Sequence, residues 1–377
     1  MITTSKSASA PVRTRLFDLT RQYAALEPEL RAALDEFFLA GEYINGPRVP
    51  AFEREFAAYC GVAQGAGVGS GTTALELTFR AYGIGSGDEI IVPANTSIAT
   101  AMAVSNAGAV PVVVDVDPTT ANLDPARAAE AITQRTRAIV PVHLWGRPAA
   151  LDKLGALARE AGLLLVEDAS QAHGARFEGR RVGSFGHAAA FSLHPSKNLG
   201  AYGDAGIVVT NDETIAQTIR ELRDIGQTAR YVHRRLGTNA RMDQMQAAML
   251  SVKLRRLDDW IERRRAVAER YARRFAGTPV SAPAFSEREF CVFHLYVVQV
   301  GNRQAVCDAL DAALVDWGIH YPTPIHHQEA YRRTPVVVHP TPVADALAER
   351  ILSLPMFAEI TPEEVDRVAD VVLSAAR

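Results

Sequence analysis

The chain has 377 residues, 48% hydrophobic and 22% charged, enough apolar content for two domains or one large domain with a smaller appendage. A formal net charge of −3 gives no basic field for nucleic acid or an anionic membrane, and no apolar run reaches the ~18 residues that span a bilayer. Three widely spaced cysteines, Cys60, Cys291 and Cys307, fit neither a disulfide framework nor zinc spacing and read as reduced thiols filling a core.

Residues 1–15, MITTSKSASAPVRTR, are small and polar and lack the apolar stretch of a signal peptide. They are expected to form a disordered tail on a cytoplasmic protein. The segment from about 19 to 60 reads as largely helical and is expected to pack back onto one of the domains. From about 60 to 250 short apolar runs alternate with helical patterns: EIIVPA, VPVVVDV, AIVPVHL, LLLVEDA, AAAFSL and AGIVVT. Continuous apolar runs are what strands covered on both faces require. Between them LDKLGALAREAG (151–162) has helical spacing and a glycine suited to a C-terminal cap. Strand, helix, strand repeated predicts an α/β domain over 16–250, its mostly parallel sheet flanked by helices.

Beyond 250 the pattern changes. Leu250, Leu254, Leu257, Ile261, Ala268, Tyr271 and Phe275 recur at helical spacing in an arginine-rich stretch. Interspersed Asp258, Asp259, Glu262 and Glu269 make this one long amphipathic linking helix with a solvated face rather than a polyanion site. HLYVVQV then reads as a strand, and RQAVCDALDAALVDWG and TPEEVDRVADVVLSAA as helices. Residues 251–377 are thus expected to hold the linking helix and a small α+β domain.

Three motifs fall where an α/β sheet places its functional loops, past the carboxyl ends of strands. GVGSGTTALEL (67–77) opens a helix with glycines, Ser70, Thr72 and Thr73, a phosphate cradle or an ordinary N-cap. It matches neither G-x-G-x-x-G nor a Walker loop, so nicotinamide and nucleoside-triphosphate readings lose their fingerprints. LLLVEDASQAHGA (163–175) ends a buried strand in Glu167 and Asp168, of which alternation lets only one enter a given cleft. That carboxylate needs a cation, be it an arginine or a ligand. FSLHPSKNLGAYGDAG (191–206) puts Lys197 after a buried strand in a glycine-rich loop, either a surface lysine or a desolvated amine nucleophile. Together they make an anion cradle, a carboxylate and an amine on neighbouring strand ends. Pyridoxal 5′-phosphate (PLP) asks for that set: donors for its phosphate, an anion for its pyridine nitrogen, a lysine for its aldehyde.

With these motifs, and with YINGPRVPAFEREFAAYCG, GDEIIVPANTSIATAMAV, PVHLWGRPA and GTNARMDQMQAAML in order, the chain from about 16 onward resembles the DegT/DnrJ-type nucleotide-sugar aminotransferases of PLP fold type I. The resemblance implies that Lys197 bears the cofactor and moves the proton, that Asp168 pairs with the pyridine nitrogen, and that Gln171 lies against the ring. It also implies a phosphate site of Thr72, Thr73 and Ser192, completed by Asn239 from the partner of a homodimer, with Arg241 a candidate for an anionic substrate group. Ser97 departs from an aromatic that stacks on the ring in several relatives, and Thr238 from a frequent tyrosine. IHYPTPIHHQ (319–328) looks like the loop of enzymes that aminate C3 of a dTDP-3-keto-6-deoxyhexose, so His320, Tyr321 and His326 are expected to face the sugar. Its three histidines could otherwise be a metal cluster; with no further strong ligand in the local spacing, no metal is expected. The implied reaction is transamination from L-glutamate, in amino-deoxysugar biosynthesis of the kind that decorates antibiotics. A 4-keto sugar or keto-cyclitol acceptor, a PLP-dependent sugar dehydratase and a non-catalytic sensor stand as the alternatives.

Overall fold

In the computed structural model, which describes residues 13–376, the six apolar runs are strands, and two further segments join them in one eight-stranded sheet. In chain order these are β1 (Gln64–Val68), β2 (Glu89–Pro93), β3 (Val110–Val114), β4 (Thr136–Ile139), β5 (Leu164–Asp168), β6 (Ala188–Ser192), β7 (Gly206–Thr210) and β8 (Val337–Val338). Across the sheet they run β1–β7–β6–β5–β4–β2–β3–β8. Every neighbouring pair is parallel except the two made by β7. The predicted α/β class holds, and the runs are apolar throughout because helices cover both faces: all five residues of β2 and of β7 are buried.

Strand β1, QGAGV, is poor in β-branched residues. It is a strand because close packing demands its glycines: a Cβ on Gly65 would meet the Glu53 carbonyl oxygen at 2.5 Å. The helices that matter for the site are α1 (Leu19–Ala40), α2 (Arg48–Cys60), α3 (Gly71–Ala81) and α4 (Ile98–Asn106). Helix Leu151–Ala161 ends on Gly162 in the left-handed conformation (φ 66°), as its sequence predicts. Leu26 and Leu30 of α1 pack on Met249, Val252 and Trp260, which returns the N-terminal segment to the body of the protein. All three cysteines are buried and free, and no helix among the described residues is long and apolar enough to cross a membrane.

Two expectations need correction. The tail does not extend to residue 15. Thr14, 1% exposed, bridges Val315: its N–H donates to the Leu314 carbonyl (2.9 Å) and its carbonyl accepts from the Asp316 N–H (2.8 Å). Arg13 pairs with Asp316 alongside. Edge pairing satisfies backbone groups irrespective of side-chain polarity, so the polar composition of 13–15 hides it. Residues 1–12 of the expected tail lie outside the described residues. The linking helix is two helices, Gln244–Leu254 and Leu257–Phe275. Their apolar stripes serve different cores: Met249 and Val252 face α1, whereas Val267, Tyr271 and Phe275 enter the C-terminal core. A break at Arg255–Arg256 lets each stripe turn toward its own partner. The basic face is used internally, in pairs such as Arg263–Asp259 (2.9 Å) and Arg270–Asp366 (2.5 Å).

The C-terminal region has its own core, where strands Tyr296–Gln299 and Ile351–Leu354 pair antiparallel beneath helices Arg303–Ala312 and Pro362–Ala375. Between those strands the chain crosses to the large sheet, adds β8 beside β3 and buries Ile325 and Tyr331 in the large core. This excursion carries the 319–328 loop to the end of the sheet where the candidate residues gather.

Candidate active site

Strand β5 sorts its two carboxylates as alternation requires. Glu167 turns away from the strand-end cavity and is fully buried, bonded to His143 Nε2 (3.0 Å) and accepting the N–H groups of Gly183, Phe185 and Gly186 at 2.8–2.9 Å. Burial raises its pKa, but His143 and those N–H groups outweigh it and hold the carboxyl below its ordinary value. Asp168 faces the cavity, 5% exposed. Its Oδ2 accepts the Thr100 hydroxyl (2.8 Å) and its Oδ1 the Ser170 N–H (3.1 Å). No arginine, lysine or histidine makes an ion pair with it among the described residues. The Lys197 amine shares its cavity and feels its charge without forming an ion pair.

Lys197 lies in the same 250 Å³ cavity, which is also lined by Ser70, Gly71, Thr72, Gln171, Ser192 and Tyr321. The loop after β6 is irregular because it folds back on itself. Lys197 N–H donates to the His194 carbonyl (2.9 Å) and Ala201 N–H to that of Leu193 (2.7 Å). Gly200 is required, since a Cβ there would sit 2.4 Å from the Pro195 carbonyl oxygen. From below, Lys253 Nζ donates to the Gly200 carbonyl, and Gln246 Oε1 accepts the Tyr202 N–H (2.8 Å).

Burial lowers the Lys197 amine to about 8, with Asp168 working the other way. The amine is therefore a neutral nucleophile above pH 8 and protonated below it. In ligand-free protein, amine-reactive labelling of Lys197 should rise through about pH 8, against ~10.4 for an ordinary lysine. Lys253 is lowered equally but is only 1% exposed, and should stay unlabelled. Peptide mass mapping across a pH series checks both. Buried His173 (to about 3) and His294 (well below normal) and half-buried His320 (to about 4) are pushed down by burial and then by the Lys197 charge, so Lys197 is the base of this neighbourhood.

The cradle is built at the start of α3. Ser70 caps the helix, its Oγ accepting the Thr73 N–H (3.1 Å) and lying 2.9 Å from the Thr73 hydroxyl. Thr73 thus belongs to the cap, and Thr72 is the threonine that lines the cavity. The first-turn N–H groups of Gly71 and Thr72 have no partner among the described residues. A Cβ on Gly71 would meet Ser192 Cβ at 2.6 Å, so the backbone itself forms the wall. Gln171 is 4% exposed; its Oε1 accepts the Trp145 N–H (2.7 Å) and its Nε2 donates to the Tyr321 hydroxyl (3.1 Å).

Of the loop residues, Tyr321 alone lines the cavity. His320 Nδ1 bonds the Ser353 hydroxyl (2.8 Å) while its carbonyl accepts Trp145 Nε1–H (2.9 Å). His326 lies beside Thr341 and Asp345. No further ligand lies in the local spacing, but Asp345, distant in sequence, reaches both His326 and His327. Asn239 is exposed, bridges Asp224 and does not line the cavity. Arg241 is ion-paired to Asp224 (2.5 Å) in a groove with Asn45 and Gly46. Ser97 lines the cavity and caps α4 by accepting the Ala99 N–H (3.3 Å), offering no ring face. Ser170, His194, Ser196 and Asp204 also line it without having been singled out as site residues; their place past the ends of β5 and β6 was the available signal.

An α/β sheet that gathers a desolvated lysine, a buried aspartate without an ion pair and a helix-start anion cradle at its strand ends is built as an enzyme's active site. The chain belongs to the DegT/DnrJ/EryC1/StrS aminotransferase family, whose pattern matches residues 25–373. It is 47% identical over 352 residues (93% of this chain, 96% of the relative) to the erythromycin biosynthesis sensory transduction protein EryC1 of Saccharopolyspora erythraea. It is 44% identical over 369 residues (98% and 97%) to the dTDP-3-amino-3,4,6-trideoxy-alpha-D-glucose transaminase of Streptomyces venezuelae. The crystal structure of S. venezuelae DesV in complex with a ketimine intermediate superposes with a TM-score of 0.94 at 44% identity, covering 97% of this chain and 99% of that one.

Proposed function

We propose that this aminotransferase uses PLP to transfer an amino group from L-glutamate to C3 of a dTDP-linked keto-deoxyhexose. The observation that carries the cofactor is Asp168, a buried carboxylate with no ion pair among the described residues, lining the same cavity as a lysine whose pKa burial has lowered to about 8. A protonated pyridine nitrogen supplies the missing positive charge, and the open N–H groups of Gly71 and Thr72 suit a phosphate. When bound, PLP supplies an aldehyde that carries the amino group and a ring that draws off electrons.

The chain's own residues do the rest. Lys197 would hold the cofactor through its amine. As a free amine it then takes the proton from the donor's α-carbon, and in the second half-reaction it delivers one to the sugar carbon, setting the new stereocentre. Asp168 keeps the proton on the ring nitrogen. Thr72 and Ser192, with the first-turn N–H groups of α3, hold the phosphate, and Thr73 keeps the cap rigid. Gln171, fixed by Trp145 N–H and Tyr321, sets the ring's edge. Asn239, exposed on its own protomer, completes the phosphate site from the partner of a homodimer. Arg241 meets a substrate anion only by leaving Asp224. His320 and His326 support the sugar-facing loop, and Tyr321 touches the substrate. The C3, dTDP-linked acceptor rests on the 44% identity to the transaminase above and on the IHYPTPIHHQ loop.

The test is the visible spectrum of purified protein before and after L-glutamate. Absorbance of the bound aldehyde form should fall and that of the amine form rise; borohydride trapping before glutamate should label Lys197. A bound cofactor that ignores glutamate points to another donor, a dehydratase or a sensor. No cofactor after reconstitution with PLP defeats the reading.

A further inference from the structure

The loop that delivers Tyr321 to the cavity ends in a cluster that the reaction does not use. One ring nitrogen each of His326 and His327 and a carboxylate oxygen of Asp345 lie within 4.8 Å of one another. His327 Nε2 is 3.1 Å and His326 Nε2 is 3.9 Å from Asp345 Oδ1, and the two imidazole centroids are 3.9 Å apart. Asp345 stands on helix Pro342–Arg350, so the cluster joins two separate segments. Thr341 Oγ1 contacts both His326 Nε2 (3.2 Å) and Asp345 Oδ2 (3.3 Å).

The charges there do not balance. Among the described residues Asp345 has no arginine or lysine partner, only the two histidines. The Asp115 carboxylate lies close behind, accepting the Val343 and Ala344 N–H groups at 3.0 and 2.9 Å. Two carboxylates and two imidazoles thus face one another, and Asp345 has only the imidazoles as partners. One divalent cation would satisfy both imidazoles and the Asp345 carboxylate at once.

We propose that His326, His327 and Asp345 bind a divalent transition-metal ion of the zinc class. Two imidazoles and a carboxylate form an N/O set suited to Zn²⁺ rather than to Mg²⁺ or Ca²⁺, which take oxygen ligands. Tetrahedral bonds of ~2.1 Å put ligand atoms about 3.4 Å apart. The 3.1 and 3.9 Å separations bracket that value and all three ligand atoms lie within 4.8 Å of one another, so binding needs an inward movement of His326. His327 is half-exposed, which leaves an entry path and an open position for water. The ion would pin the 319–328 loop to helix Pro342–Arg350 and so fix the segment that carries Tyr321. This site stands independently of the transamination reading.

The test is titration of chelator-treated holoenzyme with Co²⁺, followed by the visible absorption of tetrahedral cobalt, and with Zn²⁺ by calorimetry. One ion per chain should bind, and Zn²⁺ should raise Tm. Asp345→Asn and His327→Ala should each weaken binding by roughly 10–100-fold or more, since changes to residues behind a metal ligand already cost that much. Both side chains are about half-exposed, so the variants should fold, which circular dichroism checks. His233→Ala, on an exposed hairpin, should bind as wild type. Absence of saturable binding, or binding that survives both cluster substitutions, overturns the proposal.

Discussion

Replacing Lys197 with alanine should leave a folded protein whose transamination is slower by about 10⁴-fold or more. General acid–base transfer alone accounts for roughly 10²–10⁴, and loss of the amine nucleophile adds to it. The fold should survive because the side chain contributes none of the hydrogen bonds that shape its loop. Those come from backbone groups and from Lys253 and Gln246 below. Burial lowers the amine's pKa to about 8, so its protonated form is less favourable in the folded protein than in the unfolded chain. That cost is present below pH 8 and vanishes above the unfolded value of ~10.4. Lys197→Ala should therefore be at least as stable as wild type at pH 7, with any advantage fading at high pH. Lys197→Arg separates the roles: it restores a charge beside Asp168 but no nucleophile, and should be as inactive as alanine. Steady-state rates with the keto sugar and Tm across pH measure both halves. Activity within tenfold of wild type in Lys197→Ala would remove this residue from the mechanism.

Much of this was legible in the sequence, and what escaped has physical reasons. Continuous apolar runs mark strands buried on both faces, so β2 to β7 were readable. Strand β1 was not, because its glycines are there for close approach to α2 and dilute the apolar signal. Strand β8 and Thr14 are short edge pairings whose backbone bonds depend little on side chains. The cavity's centre was readable because strand ends, a glycine loop and a helix start each leave a local trace. The division of labour within it was not: nothing local says that Thr73 serves the cap and Thr72 the cavity, or that Arg241 is already paired with Asp224. Asp345 is the sharpest case. It meets His326 and His327 only because the chain crosses to the large sheet and back between them, which spacing along the sequence cannot reveal.

The adjacent carboxylates of β5 make the second large prediction, because one substitution at each should fail in a different way. In Asp168→Asn the amide oxygen can accept the Ser170 N–H while the Thr100 hydroxyl turns to accept from the amide N–H₂, so the stability loss should stay near ~1 kcal/mol. What is lost is the negative charge that holds a proton on the ring nitrogen. Removing one preorganised electrostatic partner costs roughly 10²–10³-fold in kcat, and more where the partner is a full charge. Glu167→Gln should do the reverse. Glu167 is fully buried among His143 and three backbone N–H donors, and a glutamine must turn its own N–H₂ toward one of them. Breaking a buried, hydrogen-bonded pair on one side costs about 3–5 kcal/mol, which should appear as a large fall in Tm. The depressed carboxyl contributes its stability above its unfolded pKa and loses it as pH falls through the folded value. The Tm gap between wild type and Glu167→Gln should therefore narrow in acid, while the rate deficit of Asp168→Asn persists at every pH at which the enzyme is folded. Rates and melting curves for both variants decide it. If Asp168→Asn melts early and keeps its rate, Asp168 is a structural carboxylate and the ring nitrogen has some other partner.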